Sequence, residues 1–239
     1  MIKEIIISTI SDLLNHIGSL GPFSMYRGQA NSTWKLIPSI GRLDNIRMSV
    51  FGWHIFEEEL LEKFKKYSIP HLSTEPKNDV DWLVIGQHHG LPTRLLDWTT
   101  NPLKALFFSL DDNYNDGSLL AFDNTIWFEN LDSLDNISSL SAFYPRHINN
   151  RLIAQEGCFT IHSFPIHNND TGKVPPLVPI EDANFKEAGI ENFVKFIINK
   201  NDKGRFKRDL DMLGINYRSL FPDLDGLTMY IKWQNKNDV

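Results

Sequence analysis

The stretch QHHGLPTRLLDWTTNP, residues 87–102, contains the strongest structural signals of the chain. Asp79 begins an apolar helical segment that runs to His88, at the start of this stretch. At the other end, Asn101 is a typical N-cap and Pro102 occupies the first helical position, so a second helix begins there. Core packing does not explain the polar residues between the two helices. They are therefore the first candidates for a functional site.

Two adjacent histidines open this stretch. Neighbouring residues on a helix point about 100° apart, so His88 and His89 are unsuited to binding one metal ion together, and we expect no metal site. His89 is the candidate acid or base, and His88 is a candidate ligand contact. Arg94 and Asp97 are three positions apart, which fits a local ion pair as well as it fits ligand binding.

Thr99 and Thr100 lie directly before the predicted helix start at Asn101. Hydroxyl groups, free backbone N–H groups and the helix dipole together favour an anion at such a position. Capping of the helix explains the same residues. The sequence is compatible with both interpretations.

Upstream of this stretch, residues 24–27 are predicted to form a strand that is broken at Gly28. Arg27 follows Tyr26 in this strand, and its planar, permanently charged guanidinium suits a phosphate. A glycine beside it allows a ligand or a backbone to approach closely. We therefore predict that Arg27 anchors a phosphate or a nucleotide ribose; the alternative is a structural arginine paired with a carboxylate.

Downstream, residues 155–162 are predicted to form another strand. Alternation along it places Gln155 on the face of Phe159 and Glu156 on the opposite face, so only one of the two faces a given cleft. The alternative is a turn that enters the strand. Cys158, the single cysteine, lies in the same apolar run, and we expect a core thiol rather than a nucleophile.

The rest of the pattern predicts one α+β domain over residues 1–239, with its core at about 20–235, in which small mixed or antiparallel sheets are flanked by helices. Further strands are predicted at residues 3–8, 117–122 and 195–198, and an extended segment at 34–37. Further helices are predicted at residues 50–67 and 202–213, and another, capped by Thr9 or Ser11, runs through Ile17 and is closed by Gly18. Residues 125–144 and 164–184 are predicted connections.

The net charge and the lengths of the apolar runs restrict the kinds of partner that we expect. The 239 residues carry a net charge of −6, which argues against general binding of duplex DNA. The first residues lack the apolar region of a signal peptide, and no run approaches about 20 apolar residues. We therefore expect a cytoplasmic protein without a membrane partner.

These motifs, in this order, resemble the FRG domain family, which is named for an aromatic-Arg-Gly motif near its start. The matching segments are Tyr26-Arg27-Gly28 with WKLIPS at 34–39, QHHG at 87–90 with PTRLLDWT at 92–99 and Asn101-Pro102, Arg151 with Gln155, Gly157 and Phe159, and LGI at 213–215 with LFPDLDGL at 220–227. The resemblance spans residues 20–235. It implies a domain more than a particular reaction.

The chain is also similar, more weakly, to arginine-type ADP-ribosyltransferases, which implies a related core and NAD as the substrate. Arg27 would then grip the phosphate or ribose of NAD, Thr99 and Thr100 would support the pocket, and Trp98 or Tyr26 would stack on nicotinamide. By the same resemblance, Glu156 would stabilise the oxocarbenium-like ribose. The chain departs from that pattern because no glutamate stands two residues after Gln155.

The predicted site therefore has two groups of residues. The predicted catalytic residues are Arg27, Gln155, Glu156 and His89, and the predicted binding residues are Tyr26, Gly28, His88, Arg94, Asp97, Trp98, Thr99 and Thr100. The first hypothesis is an NAD-dependent ADP-ribosyltransferase-like enzyme that modifies a protein or a nucleic acid, as a bacterial toxin or phage-defence effector. The second is a non-catalytic sensor of a nucleotide or a phage component. The third is a histidine-dependent nuclease or phosphotransferase.

Overall fold

Two central strands, which pair with each other at one position, organise the sheet. The computed structural model describes residues 2–43, 52–72, 75–112, 114–124, 126–128, 131–134, 137, 140–146, 150–165 and 174–235. Its strands are β1 (Lys3–Ile7), β2 (Met25–Gln29), β3 (Leu95–Thr99), β4 (Gly117–Asn124), β5 (Trp127–Phe128), β6 (Ser141–Phe143), β7 (Gly157–Ile161) and β8 (Ile190–Ile198). They form a mixed sheet in the order β1-β8-β4-β2-β3-β7-β6-β5.

The helices flank this sheet. They are α1 (Ile10–Leu20), α2 (Trp53–Ser68), α3 (Asp79–His88), α4 (Pro102–Phe108), α5 (Asn150–Gln155), α6 (Lys203–Met212), α7 (Tyr217–Leu220) and α8 (Leu224–Gln234). The prediction of one α+β domain is confirmed; where small mixed or antiparallel sheets were predicted, the described strands form one mixed sheet of eight strands. The likeness to an ADP-ribosyltransferase core stays a prediction. Among the described residues, no helix combines the length and the apolar character needed to cross a membrane.

The sheet divides between β2 and β3. Strand β2 pairs with β4 from Met25 to Gln29, and β3 pairs with β7 from Leu95 to Thr99, in both cases over the whole strand. Between β2 and β3, the pairing in the described structure is limited to Tyr26 opposite Thr99. The two strands therefore separate beyond that pair, and the space between them is available to side chains and ligands.

Gly28 is explained by packing rather than by ligand access. It lies inside β2, not at its end as predicted, opposite Leu119 of β4. A Cβ atom at this position would stand 1.9 Å from the carbonyl oxygen of Ala105 and 2.8 Å from the backbone nitrogen of Ser109. The glycine therefore lets the backbone of α4 lie directly on β2.

Local sequence signals predicted several helix boundaries correctly. Asn101 caps α4 by accepting hydrogen bonds from the backbone N–H groups of Leu103 and Lys104, and α3 has the predicted bounds. Helix α2 agrees with the prediction from Trp53 onward; residues 50 and 51 lie outside the described residues. Helix α1 continues past Gly18 to Leu20, so the predicted end was wrong.

The prediction for residues 155–162 was also wrong at its start. Gln155 is the last residue of α5, and β7 begins only at Gly157. Glu156 joins them with a positive φ of 49°, a conformation uncommon for residues other than glycine. The alternation argument for the two side chains therefore does not apply. Strand β3 within residues 91–100, strands β5 and β6, and helices α5, α7 and α8 were not predicted.

Cys158 is a core residue, as predicted. It is fully buried in β7, opposite Trp98 of β3. Burial raises the pKa of the thiol to about 12, and the nearby Asp97 carboxylate adds to the shift. The thiol is therefore protonated at neutral pH and is not a nucleophile.

Candidate functional site

A cleft of about 750 Å³ lies where β2 and β3 separate, within the size range of small-molecule sites. Residues of β2 and β3 form one part of its wall, and residues of α3 and of α5 form two further parts. Eight predicted site residues line the cleft: Tyr26, Arg27, Gly28, His88, Asp97, Trp98, Thr99 and Gln155. The three sequence clusters therefore share one cleft, although not every predicted residue reaches it.

Arg27 bridges the division of the sheet. From β2, its Nη1 donates a hydrogen bond to the carbonyl oxygen of Asp97 in β3 and lies 3.8 Å from the Asp97 carboxylate. Burial lowers the pKa of Arg27, the Asp97 carboxylate opposes that shift, and nearby Arg42 lowers the pKa further. The guanidinium remains charged, because its ordinary pKa lies far above neutrality.

Gln87 supports the same strand from α3. Its Nε2 donates to the carbonyl oxygen of Leu95 at 3.4 Å and to Asp97 Oδ2 at 3.0 Å, while its Oε1 accepts from Thr93 Oγ1 at 2.6 Å. Arg27 and Gln87 thus bond to carbonyl groups two residues apart on β3, which point to the same edge of a strand. The two side chains supply bonds that a neighbouring strand would otherwise supply.

The cleft has an excess of positive charge. Its charged side chains are the cations Arg27, Lys35, Arg42 and Arg151 and the carboxylates Asp97 and Asp111. In the part of the chain that the structure describes, neither Arg42 nor Arg151 has a carboxylate within 4.0 Å, whereas exposed Lys35 pairs with Asp182 at 3.4 Å. The Arg151 guanidinium lies 4.4 Å from the centre of the Phe221 ring. Two arginines are therefore available to an anion.

Two buried polar atoms of β2 lack partners. Arg27 Nε and Gln29 Oε1 form no hydrogen bond within the described structure, although both are shielded from solvent. Gln29 is 5% exposed and lines the cleft beside Arg27. An unpaired buried polar atom is costly, so a polar group that reaches these two atoms would be favoured.

The exposed aromatic residue of the cleft is Trp34, not the residues predicted from sequence. Trp34 is 53% exposed at the cleft. Trp98 is 3% exposed, stacks on Phe122 and donates its indole N–H to Thr160 at 2.9 Å. Tyr26 is also buried. Trp34 is therefore the side chain with a free face on which a ring could stack.

Arg94 has a structural role, which corrects its prediction as a binding residue. Its Nε donates to Glu57 Oε2 of α2 at 2.6 Å, and both side chains are almost fully buried. Its guanidinium lies 3.8 Å from the centre of the Phe164 ring. Arg94 does not line the cleft and does not pair with Asp97. The arginine instead fixes α2 to the segment before β3.

Thr99 and Thr100 hold the junction between α5 and β7. Thr99 Oγ1 donates to the carbonyl oxygen of Gln155 at 2.7 Å, and the backbone N–H of Thr100 donates to the carbonyl oxygen of Glu156 at 3.1 Å. Their predicted role as an anion site is therefore not what the geometry favours. Gln155 itself reaches the cleft, and its Nε2 donates to the carbonyl oxygen of Leu220 at 3.2 Å.

Glu156 and His89, predicted as catalytic, lie outside the cleft lining. Glu156 Oε1 pairs with Lys104 at 2.7 Å, and this hydrogen bond lowers the pKa of the carboxyl, so it is ionised at neutral pH, with its charge directed at Lys104. His89 is exposed after α3. Its neighbour His88 lines the cleft, where burial lowers its pKa and His89 and Arg151 lower it further. His88 is thus a neutral imidazole at neutral pH.

Sequence reasoning missed several cleft residues: Gln29, Trp34, Arg42, Gln87 and Arg151, of which three were noted only as parts of motifs. A tryptophan between polar Thr33 and Lys35 is a signal that could have identified an exposed ring. Among the described residues, no group of three or more His, Cys, Asp or Glu side chains is placed to hold a metal ion. The cleft residues suit an anionic organic ligand better.

Residues 23–117 match the family model of the FRG domain. The match contains the first two motifs, including Arg27 and Asp97, and confirms the resemblance over those residues. The third and last motifs lie beyond it. No curated protein matches the chain, and no solved structure matches it.

Proposed function

We propose that this chain, whose residues 23–117 match the FRG domain, binds a phosphorylated, nucleotide-like small molecule in the cleft between β2 and β3. The observation that carries this proposal is the pair of arginines, Arg42 and Arg151, at the same cleft as Arg27 and without a carboxylate partner in the described structure. Cations held near one another repel, and an anion between them relieves the repulsion.

The side chains of the cleft favour a nucleotide over an inorganic anion. Trp34 offers a free aromatic face, and stacking of a base on such a ring contributes about 1–3 kcal/mol. Gln29 and Arg27 add an acceptor and a donor that lack partners. A ligand with a base, polar groups and phosphates uses all three features.

We expect ADP-ribose, the probe ligand, to bind with a heat signal in titration calorimetry and to raise the Tm. The variants Arg42→Gln and Arg151→Gln should each weaken binding about 10- to 100-fold, because each removes a charge-assisted hydrogen bond of about 1.5–3 kcal/mol. These residues are better targets than Arg27, which also bonds to β3.

Arg205→Gln is the matched control. Arg205 lies on α6 and bonds to Asp202 and to the carbonyl oxygen of Ser8, away from the residues that line the cleft. Equal weakening in all three variants would indicate a general charge effect. Calorimetry that detects no binding of ADP-ribose, ADP or pyrophosphate to the wild-type chain would refute the proposal.

A second candidate is the transfer of ADP-ribose from NAD to a nucleophilic group of a protein or a nucleic acid. The bond between ribose and nicotinamide breaks and its electron pair leaves with nicotinamide, while the acceptor group forms the new bond to the ribose carbon and loses its proton to water. One observation favours it: the Asp97 carboxylate, 57% exposed at the cleft beside Arg27, is placed to stabilise a positively charged ribose. Glu156, paired with Lys104 elsewhere, is not. The nuclease hypothesis has no comparable observation and stays a prediction.

The turnover of NAD is measured as nicotinamide released by the purified chain. If the second candidate is right, Asp97→Asn should lower the release at least about 100-fold, and Glu156→Gln should change it less than about threefold. Binding of NAD without any release would leave the chain a non-catalytic binding module.

A further inference from the structure

We infer that Asp97 makes the cleft selective for anions that carry sugar hydroxyl groups over bare phosphates. This inference rests on the proposed binding of a phosphorylated ligand. Asp97 lies on β3 at the cleft, with its side chain 57% exposed although the flanking residues Leu96 and Trp98 are buried.

The Asp97 carboxylate lies 3.8 Å from the Arg27 guanidinium and lines the same cleft as Arg151. Asp223 favours the charged form of Arg151 most strongly, and Asp97 adds to that effect, as it does for Arg27. A phosphate bound by Arg27 therefore also lies close to the Asp97 carboxylate. Any phosphate oxygen that faces this carboxylate is repelled.

The orientation of the carboxylate is fixed by its neighbours. Asp97 Oδ2 accepts the hydrogen bond from Gln87 Nε2 at 3.0 Å and is the oxygen closest to Arg27. Oδ1 has no hydrogen-bond partner within the described structure. One oxygen is thus used to position the side chain, and the other is a free acceptor at the cleft.

An ionised carboxylate only accepts hydrogen bonds, so its ligand group must be a donor. A ligand ammonium is disfavoured, because Arg27, Arg42 and Arg151 line the same cleft. A ribose hydroxyl is a neutral donor, and in a ribonucleotide it belongs to the same sugar that carries the phosphate. The sugar hydroxyls are therefore the groups that Asp97 fits.

The test compares ADP with 2′,3′-dideoxy-ADP, which has the same base and phosphates but lacks both hydroxyls, and with pyrophosphate. We expect the wild-type chain to bind ADP about 10- to 100-fold more tightly than dideoxy-ADP in calorimetry, as for a hydrogen bond to a charged group. In Asp97→Asn this preference should fall below about threefold.

The same variant should bind pyrophosphate more tightly. The Gln87 N–H keeps its acceptor if the asparagine oxygen takes the place of Oδ2, and the new amide N–H₂ then faces the cleft. Loss of the negative charge and gain of a donor both favour a phosphate. One substitution is thus expected to act in opposite directions on the two ligands.

Asp111→Asn is the matched control. Asp111 also lines the cleft, but its Oδ1 accepts from Tyr217 at 2.8 Å, and asparagine preserves that acceptor. This substitution removes one negative charge from the cleft, so it should tighten the binding of ADP and of pyrophosphate to a similar extent. An unchanged ADP preference in Asp97→Asn, or a wild-type chain that binds ADP and dideoxy-ADP equally, overturns the inference and leaves the proposed function standing. A wild-type chain that binds neither ADP-ribose nor any of these three probes overturns both.

Discussion

Glu57→Ala should lower the free energy of unfolding by about 3–5 kcal/mol, the range for removal of one partner from a buried ion pair. Glu57 on α2 is 3% exposed, and its carboxylate accepts from the backbone N–H of Arg94 at 2.9 Å and from Nε at 2.6 Å. Alanine leaves the Arg94 charge buried without a counterion. The imidazole of His54, 3.5 Å from Arg94 Nη2, cannot replace the carboxylate, because an imidazole carries no negative charge in either protonation state.

Urea unfolding followed by circular dichroism measures this effect as a shift of the midpoint at constant slope. Lys65→Ala is the matched control on the same helix. It removes ion pairs with Glu62 and Asp79 whose carboxylates are more than half exposed, so we expect at most about 1 kcal/mol. Similar losses in the two variants would contradict the assignment of Arg94 to the core.

Gly28→Ala should cost about 3 kcal/mol or more, or prevent folding, because the added methyl group meets backbone and not a flexible side chain. The nearest atom would be the carbonyl oxygen of Ala105, at 1.9 Å. Relief requires α4 to move away from β2, and Ala105 and Leu106 belong to the buried core that would be opened. The expected result is a lower urea midpoint or aggregated protein at expression.

Gly18→Ala is the opposite test with the same chemical change. Gly18 is an exposed residue inside α1, and a Cβ atom there would meet nothing within 4 Å. Alanine should therefore raise stability by about 0.5–1 kcal/mol, from helix propensity alone. If Gly28→Ala is as harmless as Gly18→Ala, the close contact of α4 with β2 is wrong.

These two predictions change how the aromatic-Arg-Gly motif is understood. From the sequence, Gly28 was interpreted as leaving room for a ligand beside Arg27. In the structure, Gly28 instead leaves room for the backbone of α4. Arg27 bonds to β3 and reaches the cleft from the other side of β2. Neighbouring residues of one motif thus serve packing and the candidate site separately.

Much of the fold was predictable because its signals are local. The cap at Asn101, the bounds of α3 and the apolar pattern of α2 depend on residues within one or two helical turns. The strand at β3 was missed because its sequence, LLDWT, has no clean alternation of apolar and polar residues. One of its faces packs into the core, and Asp97 on the other stands exposed in the cleft.

Sequence reasoning identified the residues that need an explanation beyond packing, and eight of the twelve predicted site residues do line one cleft. What each of these residues does depends on how the chain folds. Arg94 is structural because Glu57, 37 residues away in the chain, lies beside it. Arg27 reaches a cleft because β2 and β3 separate after one pair. Both outcomes depend on contacts between distant segments, which neither propensity nor spacing encodes.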